Sequence, residues 1–161
     1  MAKTIKGVSW LQDLDALVEP LSDSDAMGLG YLRVARFVFD AGVAANRTVA
    51  PHGTGVTLPI HAIVVGGFVD VNTLFTSASG DTGTIAISVQ AANDVISAAA
   101  VSGAPYSSVG RKAIIPKANT PESTSLKASA AREITCTVAI AALLTGKLTG
   151  YLYYVEGIAS A

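Results

Sequence analysis

Two stretches of the chain alternate apolar and polar residues strictly enough to dictate their backbone: Thr82 to Gln90 (TGTIAISVQ) and Arg132 to Ile140 (REITCTVAI). Successive side chains of a strand point to opposite faces, so this alternation belongs to half-buried strands and not to a helix. In the first, Ile85, Ile87 and Val89 share one face and Ala86, Ser88 and Gln90 the other. In the second, Ile134, Cys136, Val138 and Ile140 are expected inward, with Glu133, Thr135 and Thr137 outward. A turn around Leu144 to Lys147 then leads to Leu148 to Glu156 (LTGYLYYVE), so the two final runs read as a hairpin.

The rest of the chain from Tyr31 onward has the same texture of short β-prone runs divided by turn residues. Leu32 to Asp40 (LRVARFVFD) is the first expected strand, and AGVAANRT supplies a turn. The segment TVAPHGTGVTLP reads as an irregular loop or edge strand, because Pro51 and Pro59 have no N–H for a ladder. Ile60 to Val71 is long enough for a central strand, with Gly66-Gly67 marking a bulge. Asn93 to Val101 (NDVISAAAV) opens with a capping residue and is rich in alanine, which predicts a short helical connection. VSGAPYSSVG and PKANTPEST are loops, and Lys112 to Ile115 between them is a short edge strand. The expected fold is mainly β: an antiparallel β-sandwich of jelly-roll type over residues 31–161, preceded by an arm over residues 1–30. In that arm Ser9 and Gln12 match a capping box, and Trp10, Leu14, Leu17 and Leu21 recur near helical spacing, predicting a short helix from Trp10 to about Val18. Pro20 and the turn-rich LSDSDAMGLG end it.

Composition narrows the partners. Of the 161 residues 50% are hydrophobic and only 14% charged, against roughly 25% charged in soluble domains. A surface shielded by neighbouring subunits needs fewer charges, so this balance favours an oligomer or lattice member. The most apolar stretch, Leu58 to Val71, is broken by Pro59, His61, the glycine pair and Asp70, so no membrane span is expected. The N-terminal residues lack the pattern of a secretory signal. A net charge of −1 offers no footprint for nucleic acid. The single Cys136 reads as a small buried hydrophobe.

No catalytic or metal constellation stands out, and no cofactor is expected. His52 and His61 are the only histidines, separated by a Pro-containing stretch without further ligands. The glycines of HGTG and SGDTGT match no phosphate-loop pattern, and Asp70, Asp81 and Asp94 lack the spacing of a calcium loop. Asn46-Arg47-Thr48 fits a glycosylation pattern but reads as part of a turn. Aromatic residues are the better lead. Phe37 and Phe39 lie beside Arg33 and Arg36 on the first strand, while Tyr151 and Tyr153 share one face of the last, opposite Leu152 and Tyr154. The expected partner-facing residues are Trp10, Leu14, Leu17, Leu21, Leu29, Tyr31, Phe37, Phe39, Tyr151 and Tyr153.

The stretch FVDVNTLFTSASGDTGTIAISVQAANDVISAAAVSGAP, followed by TSLKASAAREITCTVAIAALLTGKLTGYLYYVEG, resembles small β-rich virion structural proteins of tailed bacteriophages. The resemblance covers roughly Val65 to Glu156. It implies a non-enzymatic capsid decoration or cement protein, or a head fibre, commonly trimeric. Such a protein is made in the host cytoplasm and sits on the capsid surface, where it binds the major capsid protein. The alternative of another class is a carbohydrate- or receptor-binding sandwich of a tail or head fibre, using the tyrosines. A small hydrolase on the same kind of fold would need motifs that are missing here.

Overall fold

A computed structural model describes residues 32–116 and 126–156, and the fold is given for these. They form the strands β1 (Leu32–Asp40), β2 (Pro51–Leu58), β3 (Ala62–Ser77), β4 (Thr84–Ser88), β5 (Ile96–Ala100), β6 (Gly110–Ile114), β7 (Arg132–Ala139) and β8 (Leu143–Glu156). The strands make two four-stranded antiparallel sheets. Sheet I has the order β1-β8-β3-β6 and sheet II the order β2-β7-β4-β5. The result is the expected antiparallel β-sandwich. The predicted helix from Trp10 to Val18 lies outside the described residues.

The sheets enclose one core. Phe37, Phe39, Val69, Val71, Phe75, Leu148 and Leu152 fill it from sheet I; Leu58, Ile85, Ile87, Ile134, Cys136 and Val138 fill it from sheet II. Each set is the apolar half of an alternating run, so the period of the sequence becomes the inside and outside of the sheet. Close packing depends on Gly150, which stands opposite Phe37 in the ladder. A Cβ there would overlap the Phe37 ring, so the ring is seated directly on the β8 backbone. Gly67, at φ +154, serves β3 in the same way: a Cβ would strike the Tyr151 carbonyl.

Where folding depends on local pattern, the expectations hold. The first strand has its expected bounds. The second is an edge strand of sheet II with a bulge between Gly53 and Thr57, where the Glu133 carboxylate accepts the Gly55 N–H (2.6 Å). A register shift falls between Val64 and Gly66 of β3, which is central in sheet I and runs on to Ser77. Gly110–Ile114 forms the opposite edge of that sheet.

Other expectations are corrected. Arg132–Glu156 is not a hairpin: β7 pairs with β2 and β4, whereas β8 pairs with β1 and β3 in the other sheet. Leu144 to Lys147, read as its turn, already belong to β8. The chain instead turns at Ile140, where the Ala141 N–H donates to the Ala139 carbonyl (2.8 Å) around a backbone at φ +69. This is the rare form of γ-turn, and it re-aims the chain from one sheet to the other. Ile140 consequently points outward, 73% exposed, where alternation would have it inward.

Asn93 to Val101 is not helical. The Asp94 carboxylate accepts the N–H groups of Val89, Gln90 and Ala91 (2.8, 2.8 and 2.7 Å) and closes a tight turn after β4. Ile96–Ala100 then pairs with β4 as a sheet edge. So short an alanine-rich run cannot repay helix nucleation in isolation, and pairing with a formed strand wins. The outer face of β4 is also less open than its polar residues suggest, since Ala86 is 2% exposed.

Candidate interface face

The outward side chains of sheet I form rows set by the register. Arg36 lies opposite Tyr151, Tyr151 opposite Phe68, and Phe68 opposite Ala113. The next row runs from Val34 to Tyr153 to Gly66. A third carries Val38, Thr149, Asp70 and Arg111. At the centre of the face Phe68 stacks on Tyr151 with ring centroids 4.6 Å apart and meets Tyr153 edge-on at 6.1 Å. The Arg111 guanidinium sits 4.2 Å from the centroid of the Phe68 ring, held there by an ion pair with Asp70 (3.2 Å). All three rings remain half-exposed, and Val34 is 54% and Ile115 76% exposed.

Sheet II presents a different exterior. Thr84, Ala86 and Ser88 of β4 pair with Ala139, Thr137 and Thr135 of β7, and Thr135 faces Gly53 of β2. These side chains are small and mostly hydroxylic. One side of the sandwich is therefore aromatic and aliphatic, the other smooth and polar.

Charge on the sheet I exterior is nearly all spoken for. Lys147 pairs with Asp40 (2.9 Å), which also accepts the Gly42 N–H (2.7 Å). The Lys147 hydrogen bond first, then that of Gly42, holds the Asp40 carboxyl below its ordinary pKa. At the sheet end Arg33 pairs with Glu156 (3.0 Å). Arg36 is different. It is exposed, and no ion pair or side-chain hydrogen bond engages it among the described residues. Beyond β6, Ala113 and Ile115 line a groove of about 300 Å³ with Val95, Ile96, Ala104 and Pro105, a lining without titratable groups.

A second groove, of about 330 Å³, holds the Asp40–Lys147 pair with Arg47 and Thr145, and brings together no nucleophile and base. Among the described residues no three His, Cys, Asp or Glu side chains cluster as a metal site. His52 accompanies Phe39 at 5.9 Å and donates from Nε2 to the Thr48 carbonyl (2.8 Å), a structural post. The Cys136 thiol is buried, and burial pushes its pKa up to about 12, so it is unsuited to act as a nucleophile.

Of the expected partner-facing residues, Tyr151 and Tyr153 lie on this outer face. Phe37 and Phe39, at 1% and 2% exposure, are core residues instead and present nothing to a partner. Trp10, Leu14, Leu17, Leu21, Leu29 and Tyr31 lie outside the described residues. Phe68, Val34 and Arg111 also belong to the face, with Ile115 exposed at its edge, though the sequence does not single them out. The outward triplet Val34, Arg36 and Val38 was legible in the alternation of β1, but the meeting of Phe68 with Tyr151 depends on a long-range register.

No protein-family profile matches this sequence, and neither does any curated protein. Its fold is nonetheless found in solved structures. A chain in the acidic stable capsid structure of Helicobacter pylori bacteriophage KHP30 superposes with a TM-score of 0.53 at 13% identity, covering 78% of this chain and 88% of that one. A chain in the capsid asymmetric unit of cyanophage Pam1 gives 0.55 at 16% identity, covering 81% and 89%. One in the capsid of Ralstonia phage GP4 gives 0.52 at 19% identity, covering 81% and 87%. The likeness is one of fold.

Proposed function

We propose that this chain is a non-enzymatic virion protein of a tailed phage, a capsid cement or decoration protein that binds the lattice of the major capsid protein as a homotrimer. The observation that carries the reading is the fold: chains in three phage capsids share it along 87–89% of their own lengths. The nested pairs β1–β8, β2–β7, β3–β6 and β4–β5 are what an antiparallel ribbon rolled on itself produces, which supports reading the sandwich as a jelly roll. The low charge and the aromatic exterior of sheet I agree with a molecule that spends its life against a neighbour. Its work would be contact energy repeated over many lattice positions, with no bond made or broken.

The test is co-sedimentation of the purified protein with empty shells assembled from the major capsid protein of the same phage. Saturable binding and a raised melting temperature of the shells are the expected result. Shells that sediment without it end the reading, and a monomer by sedimentation equilibrium ends the trimer. The Phe68, Tyr151 and Tyr153 rings favour one second reading, a carbohydrate-binding module of a fibre, in which they would stack on sugar. Glycan binding lost on Tyr151→Ala would support it.

A further inference from the structure

We infer that the outer face of sheet I is the shell-facing surface, and that it receives an apolar protein patch bearing a carboxylate for Arg36 and an apolar side chain for the groove beside β6. The inference rests on the cement reading and adds to it which side docks and what the partner must carry.

The asymmetry of the sandwich selects the side. Both exteriors are built on the same alternation, yet one carries threonine, serine and alanine where the other carries Val34, Val38, Phe68, Tyr151 and Tyr153. Large side chains half-buried only against one another gain further stability when a partner removes the remaining area from water. The face is about 19 Å across four strands and about 20 Å along them, roughly 400 Å² in projection, about half of one side of a standard interface. A contact of that size is weak singly and suits repetition over a lattice.

Charge selects the occupant. Asp40 and Asp70 are already engaged by Lys147 and Arg111, so among the described residues the face offers no free carboxylate of its own. Face-to-face pairing with a second copy would bring two Arg36 guanidinium groups onto one apolar surface with nothing to neutralise them. A partner carboxylate accepts two N–H bonds from Arg36 and resolves that deficit. The groove supplies the second point. Ala113 stands in the same row as Arg36, three strand spacings away, so the anchoring side chain would sit about 14 Å from the carboxylate.

Affinity for the assembled shells is measured for the wild type and for Arg36→Glu, Arg36→Lys, Ile115→Asp and Thr135→Lys, the last on the sheet II exterior. Both acidic substitutions are expected to weaken binding about tenfold or more, Arg36→Lys less, and Thr135→Lys not at all. All three positions face outward on the strands or at their ends, and matching circular dichroism verifies folding. Shell binding by the wild type that survives Arg36→Glu and Ile115→Asp but is lost in Thr135→Lys would overturn the assignment of the face while leaving the cement reading intact. Self-association that strengthens in Arg36→Glu assigns the face to a second copy and also overturns it. Glycan binding on this face with shell binding unaffected by any variant does the same. If the wild type does not bind shells, the cement reading fails first and the inference with it.

Discussion

Tyr106 is fully buried, its ring set edge-on to Phe75 at 5.8 Å, yet its hydroxyl has no hydrogen-bond partner among the described residues. Burial, with the nearby Cys136, raises its pKa above the ordinary phenol value. A buried hydroxyl without a partner forfeits about 1–3 kcal/mol of hydration. Tyr106→Phe removes that group and leaves the ring contacts in place. The void left by one oxygen, about 12 Å³, costs about 0.3 kcal/mol at 24 cal/mol per Å³. The net expectation is a stabilisation of about 1–2 kcal/mol. Urea unfolding followed by fluorescence should show a higher midpoint with an unchanged slope. In a chain of this length the melting temperature should rise by about 2–4 °C per kcal/mol. Tyr106→Leu serves as the contrast, since it removes the hydroxyl and the edge-to-face packing together and should destabilise by about 2 kcal/mol or more. A loss of more than about 1 kcal/mol in Tyr106→Phe would refute the reasoning, because it would mean that the hydroxyl is bonded.

Gly150→Ala drives a methyl group into the Phe37 ring and is expected to destabilise by about 1–3 kcal/mol; Phe37→Leu in the same chain should recover part of the loss, as a double-mutant cycle by denaturant titration would read. Ile140→Gly relieves a β-branched residue at φ +69 that buries little, so a gain of about 1 kcal/mol is expected from thermal unfolding. Cys136 titrates from an ordinary 9.0 when unfolded to about 12 when folded, so the stability it lends by staying neutral is complete below about pH 9 and lost as pH rises towards 12. The slope is at most about 1.4 kcal/mol per pH unit, and Cys136→Ala should be shallower than wild type across that window in urea titrations at stepped pH.

What the sequence reveals about this fold is what neighbouring residues decide among themselves. The alternation of β1, the bulge at the glycine pair of β3 and the inward set Ile134, Cys136 and Val138 were all legible because each follows from a local period. The hairpin of β7 and β8 was not. Alternation says which face a residue occupies but is silent on which strand will accept its hydrogen bonds, and a single γ-turn at Ile140 sends the two runs to different sheets. The interface face divides on the same line. Tyr151 and Tyr153 could be placed together from their spacing, whereas their meeting with Phe68 and Arg111 exists only once β8 lies beside β3 and β3 beside β6. Phe37 and Phe39 read as partner-facing in the sequence because both faces of β1 carry apolar side chains, and only the placement of β1 in its sheet turns Ala35, Phe37 and Phe39 inward and Val34 and Val38 outward.

The pairing of β1 has a consequence for how the molecule comes into being. Its ladder partner is β8, with Leu32 opposite Val155, so the first of the described strands to be made waits for the last of them before its sheet can close. Every enclosing pair follows the same order, with β4 and β5 meeting first and β1 and β8 last. Folding of such a chain is slow for its size, and through synthesis the Phe37 and Phe39 rings stay without their seats on β8. A chain cut short before Leu143 keeps all four strands of sheet II but loses β8, the strand that joins β1 to β3 in sheet I.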